Sequence, residues 1–157
     1  MDGITYFIKL LTTTREIMRI YLSMIEPSDK SCTWISDIAT FESQILDGEA
    51  TYIILDRFLS TFTHAELRPL LQKIAKKMRV NCELTIMEND MDFIAKKIVR
   101  GEMDIEEVNE VMFKNPFIKS VCTLENIEQN IPDSIPLQHK HFDNLLSEIT
   151  VKCRRLE

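Results

Sequence analysis

Hydrophobic and polar positions are most sharply patterned between residues 49 and 93, EATYIILDRFLSTFTHAELRPLLQKIAKKMRVNCELTIMENDMDF. Tyr52-Ile53-Ile54-Leu55 is a short unbroken apolar run, the pattern of a strand covered on both faces. Leu67, Leu70, Leu71, Ile74, Ala75 and Met78 then share one helical face, with Lys73, Lys76 and Lys77 largely on the other. Leu84 to Met87 reads as a second strand running into an acidic loop. Strand, helix, strand in that order is a right-handed βαβ unit, the building block of open parallel sheets. Thr63 and Glu66 form a T-x-x-E capping box. Pro69 removes a helix bond beyond a first turn, so the spacing places the helix start nearer Leu67.

The flanking segments extend the pattern. Ile4 to Leu11 is apolar and β-rich and leads into the threonine run Thr12 to Thr14. Arg19 to Ile25 reads as the next strand, closed by Glu26-Pro27. Thr33-Trp34-Ile35 is a third, ending at Ser36-Asp37, and Phe41, Ile45 and Leu46 form a helical stripe stopped by Asp47-Gly48. Beyond the central unit, Asp90 or Asp92 caps a helix carrying Phe93, Ile94, Ala95, Ile98 and Val99, ended by Gly101. Asp104 with Glu107 repeats the cap ahead of Val108, Val111 and Met112, and Asn115-Pro116 breaks that helix. Thr123 to Ile131 is one more short helix. Leu137 to Phe142 and Ile149 to Arg154 alternate like exposed-edge strands, which predicts an antiparallel final pair. The expected fold is a three-layer, Rossmann-like α/β sheet, mostly parallel, with that antiparallel pair at its C-terminal end.

At 157 residues the chain fits one domain with a real core. Its net charge of −6 argues against a nucleic-acid backbone as the main partner. No apolar run approaches the ~20 residues of a membrane span, and MDGITYFIKLL lacks the basic start and cleavage site of a secretory signal. Cys32, Cys82, Cys122 and Cys153 are scattered without a CxxC, as expected for reduced thiols in a cytoplasm. The absence of glycine between Gly3 and Gly48 changes the picture most. A phosphate loop after an early strand needs glycine for its tight turn and close backbone approach.

Candidate chemistry is correspondingly sparse. Glu26, just past a strand, stands where Rossmann-like proteins hold a ribose diol; its alternative role is a turn residue. His139 and His141 share one side of a strand, but no third metal ligand is near in sequence. Glu88, Asp90 and Asp92 end a parallel strand, where they either meet a ligand or cap a helix. His64 follows the central strand as a candidate base or a surface residue. There is no Ser/His/Asp order and no thiol beside a base, so no catalytic residue is assigned.

The order of elements resembles the class I S-adenosylmethionine-dependent methyltransferases, in particular short methyltransferase-like proteins of phage and bacterial surface-sugar gene sets. The segments that carry the resemblance are Ile25-Glu26-Pro27, Asp37 with Phe41, Glu49 to Phe62, Leu84 to Asp90, Asp104 to Phe113 and the terminal ITVKCRR. The resemblance implies Glu26 at the ribose and Asp37 near the adenine amino group. It places Asp56 toward the sulfonium, with Phe58 and Leu59 lining the site. The family's glycine-rich first motif has no counterpart here, and its Gly-Gly turn before the second strand of the central unit is Val80-Asn81-Cys82. That combination implies a fold retained after cofactor binding was lost or weakened, with no resident cofactor. The protein would act through its surface as a binding, accessory or self-associating protein, in the host cytoplasm if phage-encoded. Two alternatives stand beside it. One is an active enzyme using S-adenosylmethionine through an atypical loop at Thr12 to Arg15, with Asp56 and His64 near the acceptor. The other is a phage structural component.

Overall fold

The computed structural model describes residues 17–157; the expectations for Ile4 to Leu11 and Thr12 to Arg15 lie outside them. Among the described residues six strands form one mixed sheet: β1 (Arg19–Leu22), β2 (Thr33–Ile35), β3 (Ala50–Asp56), β4 (Met78–Asn89), β5 (Leu137–Asp143) and β6 (Glu148–Arg154), in the order β2-β1-β3-β4-β6-β5. The β1/β2, β1/β3 and β3/β4 pairs are parallel, while β6 runs antiparallel to both β4 and β5. The mostly parallel sheet with an antiparallel C-terminal pair is therefore as the sequence predicts.

Five helices accompany it among the described residues: α1 (Ile38–Gln44), α2 (His64–Lys77), α3 (Met91–Val99), α4 (Ile105–Phe113) and α5 (Leu124–Asn130). Ile20 and Leu22, Ile53 and Leu55, Leu84 and Ile86, and Ile149, Val151 and Cys153 share one sheet face and are buried. They pack in one cluster with Phe41 of α1, Leu67, Leu70, Leu71 and Ile74 of α2, and Ile127 of α5. Removing such side chains from water, at about 1.5–3 kcal/mol each, is the main force holding the sheet to these helices. The opposite face carries Tyr21, Tyr52, Ile54 and Met87, all half-buried. Ile94, Val108 and Met112 form a separate small cluster between α3 and α4.

Local chemistry explains where the pattern and the fold part company. Helix α2 begins at His64, three residues before the expected start, because the capping box works: Thr63 N–H donates to Glu66 Oε2 (2.8 Å), and the Thr63 side chain caps the first turn. Pro69 is then inside the helix, and its missing N–H forgoes only the bond to Ala65. Met78, expected on the α2 stripe, opens β4 instead. Strand β4 is far longer than Leu84 to Met87, because a bulge absorbs extra residues between Met78 and Glu83. Asn81 sits in that bulge at φ 68°, left-handed backbone that asparagine tolerates better than most residues, so it stands in for the expected glycine turn. Leu46 is exposed, since α1 ends before it. Strand β5 is the sheet edge, but β6, expected beside it as a second edge strand, is interior. The expected caps on the later helices form, Asp90 on α3 and Asp104 with Glu107 on α4, and Thr123 caps α5.

Candidate functional site

In this topology β2 lies on one side of β1 and β3 on the other, so the direction of winding reverses between β1 and β3. Open α/β sheets bind ligands outside the carboxyl ends of the strands at such a reversal. A pocket of about 460 Å³ sits there. Its floor comes from the ends of β1, β3 and β4: Ser23 to Pro27, Asp56 with Arg57, and Asn89. Its far wall is α4 and the segment behind it, through Val111, Asn115 and Ile118, with Leu146 from the β5–β6 turn. Asn89 Nδ2 donates to Val111 O (3.1 Å), which ties the wall to the sheet.

The loop leaving β1 carries Glu26, the residue expected at the ribose. Here residues 23–32 connect β1 to β2 without a helix. The loop is anchored by its own side chains: Ser23 Oγ donates to Ile25 O, and Trp34 Nε1 donates to Ser23 O (3.0 Å). Glu26 lines the pocket and pairs with Lys30 one helical turn's spacing away.

Asp56, at the end of β3, is held on both oxygens. Tyr21 Oη donates to Oδ2 (2.7 Å), and an Arg57 Nη donates to Oδ1 (2.5 Å). The other Nη of Arg57 pairs with Glu148 on β6, so one guanidinium bridges the ends of β3 and β6 across β4. Arg57 does this from left-handed backbone, φ 49°, a conformation costly for a non-glycine residue. Burial and the hydrogen bond to Asp56 push the Tyr21 hydroxyl above the usual phenol range. Burial also raises Glu148, against the lowering effect of Arg57.

Beneath this network lies Glu88, which is 1 % exposed. Its Oε1 accepts from Leu59 N (2.7 Å) and Ser60 N (3.2 Å), capping a short 3-10 turn at Leu59–Thr61. Burial pushes its carboxyl up to about 7 despite those two bonds. Ser60 O in turn accepts Lys119 N (2.8 Å) and Ser120 N (3.1 Å). Glu88 thus links β4 through this turn to the segment that walls the pocket.

The sequence candidates divide cleanly. Glu26 and Asp56 line the pocket. Asp37 instead caps α1, accepting Thr40 N on Oδ1 (2.8 Å) and Thr40 Oγ1 on Oδ2 (2.7 Å). Phe58 and Leu59 are fully buried in the core and do not face the pocket. Of the acidic trio, Glu88 is buried, Asp90 caps α3 through Asp92 N, and Asp92 sits in the first turn. His64 bonds to Val121 O (2.8 Å) outside the pocket, and His139 and His141 are exposed on edge strand β5. No group of three or more metal-ligating side chains is present among the described residues. Cys82, Cys122 and Cys153 are buried free thiols, and Cys32 is half-buried. Arg57, Tyr21 and Glu148 were not legible as site residues, because only the sheet register brings them together across long sequence separations.

No protein-family model matches the sequence, and a search of curated proteins finds no match. Solved structures do share the fold. An S-adenosylmethionine-dependent methyltransferase from Methanosarcina mazei aligns over 99% of this chain and 98% of its own, with TM-score 0.61 and 8% identity. One from Archaeoglobus fulgidus aligns over 96% and 92%, with TM-score 0.53 and 7% identity. A chain from the complex of the Haloferax volcanii Trm112 methyltransferase activator with a methyltransferase aligns over 99% and 79%, with TM-score 0.55 and 8% identity. At these identities the likeness establishes the methyltransferase-like fold alone.

Proposed function

We propose that this protein keeps the methyltransferase fold without effective S-adenosylmethionine binding, and acts through its surface as an accessory or self-associating protein. One observation carries the reading: the polar groups at the sheet reversal are already satisfied from within the chain. Both oxygens of Asp56 are taken by Tyr21 and Arg57. No glycine lies between Gly3 and Gly48 to allow the close backbone approach that a methionyl end needs. Arg57 already offsets the charge of Asp56, which weakens its attraction for a cationic ligand entering the pocket. If binding were retained, Glu26 would meet the ribose, Asp37 the adenine amino group and Asp56 the sulfonium. Phe58, buried beneath, would act only through packing. A neighbour that occurs with an activator protein is consistent with an accessory role. The free buried thiols fit a reducing cytoplasm, that of the host if the protein is phage-encoded. Titration calorimetry with S-adenosylmethionine and S-adenosylhomocysteine tests the proposal. No heat of binding is expected; micromolar affinity overturns it.

The pocket's size and place favour one second reading, an active methyltransferase with an atypical cofactor loop. That reading requires label to pass from S-adenosylmethionine to an acceptor in cell extract.

A further inference from the structure

Internal bonding divides the lining of the pocket at the sheet reversal into two parts. Of its polar residues, Ser23, Glu26, Asp56, Arg57 and Asn89 each bond to a partner within the chain. Asn115 does the same, its Oδ1 accepting Phe117 N (2.9 Å). The other two, Glu110 of α4 and its C-cap residue Lys114, are solvent-exposed and carry opposite charges.

The rest of the lining is aliphatic. Met24, Ile25 and Pro27 come from the β1–β2 loop, Val111 and Ile118 from the far wall, and Leu146 from the β5–β6 turn. Ile25 and Leu146 remain 74 % and 58 % exposed. A single exposed aliphatic side chain needs no explanation. Here several of them, from three separate segments, converge on one concave space of about 460 Å³. That lies within the range of small-molecule sites, about 300–1,000 Å³, which are typically lined by apolar side chains with a few polar groups. Covering such a lining is favourable in proportion to the apolar area taken from water. A charge on the entering molecule would lose water and meet polar side chains that are already bonded.

We propose that the pocket binds a small uncharged apolar molecule between the β1–β2 loop, the α4 wall and the β5–β6 turn. The assignment rests on the reading that S-adenosylmethionine is not bound there. It gives the retained fold a ligand-binding role that needs no methyl transfer.

The test is titration with N-phenyl-1-naphthylamine, an uncharged fluorescent probe that brightens in apolar surroundings. It should occupy one site per chain with a Kd of about 10 μM. Ile25→Asp and Leu146→Asp should each weaken binding by about tenfold or more, because each sets a carboxylate against the apolar probe. Val99→Asp, at a site 88 % exposed and outside the pocket, should leave it unchanged. Circular dichroism confirms that each variant is folded. Absence of saturable binding overturns the proposal, as does binding that both pocket variants leave intact or that Val99→Asp weakens equally. A signal per chain that falls as protein concentration rises also overturns it, since a second copy then covers the pocket. None of these outcomes touches the calorimetric test with S-adenosylmethionine. Displacement of the probe by about 1 mM S-adenosylmethionine overturns both readings, because the pocket is then a cofactor site.

Discussion

The buried carboxylate of Glu88 permits a quantitative test of how the site is assembled. Its ordinary value is 4.5, and burial in the folded protein raises it to about 7. The folded state therefore holds the proton more tightly than the unfolded chain. The group's contribution to stability is full below pH 4.5 and is lost progressively as the pH rises through 7. The gap corresponds to about 3 kcal/mol in total, most of which falls between pH 5 and pH 8. Glu88→Gln retains a carbonyl oxygen at the same reach for Leu59 N and Ser60 N but carries no charge to desolvate. Denaturant unfolding of both proteins from pH 5 to pH 8 separates this group from all others, since every other titrating side chain is common to the pair. Those nearest are Arg57, whose charge favours the ionised carboxylate, the Cys122 thiol and Asp90. The variant should gain about 2–3 kcal/mol on wild type across that window and be the more stable protein at pH 8. Parallel stability curves would refute the reasoning, because they would mean that Glu88 is solvated in the folded state and not the buried cap described.

Two further substitutions probe the surroundings. Arg57→Ala removes the bridge between Asp56 and Glu148 and should cost about 1–2 kcal/mol, reduced from the value for a buried pair because Arg57 is 41% exposed. Arg57→Gly should cost about 1 kcal/mol less than Arg57→Ala in the same denaturation assay, because only the glycine relieves the left-handed backbone. Asp104→Ala leaves Glu106 N and Glu107 N without their cap and should cost about 1 kcal/mol, read as an earlier unfolding midpoint.

The sheet was legible where periodicity and punctuation agreed. An apolar run, an amphipathic stripe and a second apolar run between residues 50 and 89 emerge as β3, α2 and β4, and the capping signals at Thr63, Asp90 and Asp104 mark real helix starts. What sequence order concealed was neighbourhood. Arg19 to Ile25 read as one strand among several, yet β1 is a central strand beside the sheet reversal, and that position turns the Glu26 loop into a pocket floor. Pro69 argued for a late helix start, but one lost bond weighs less than a working capping box and four buried leucine and isoleucine side chains. The polar network was hidden for a related reason. Tyr21, Arg57 and Glu148 carry no motif, and Asp56 looked like a free strand-end acid until the register placed three partners around it. Phe58, drawn into the site by resemblance, belongs to the core.

The central claim is that the pocket at the sheet reversal does not bind the methyl donor, its polar groups being engaged within the chain. Thermal unfolding with and without about 1 mM S-adenosylmethionine tests it most directly. A site of 10 μM affinity would gain about 2.7 kcal/mol from a hundredfold excess of ligand, raising Tm by about 5–10 °C for a chain of this size. The account predicts no shift beyond about 1 °C on that same scale. A shift of 5 °C or more would contradict it and show that the site still binds the methyl donor.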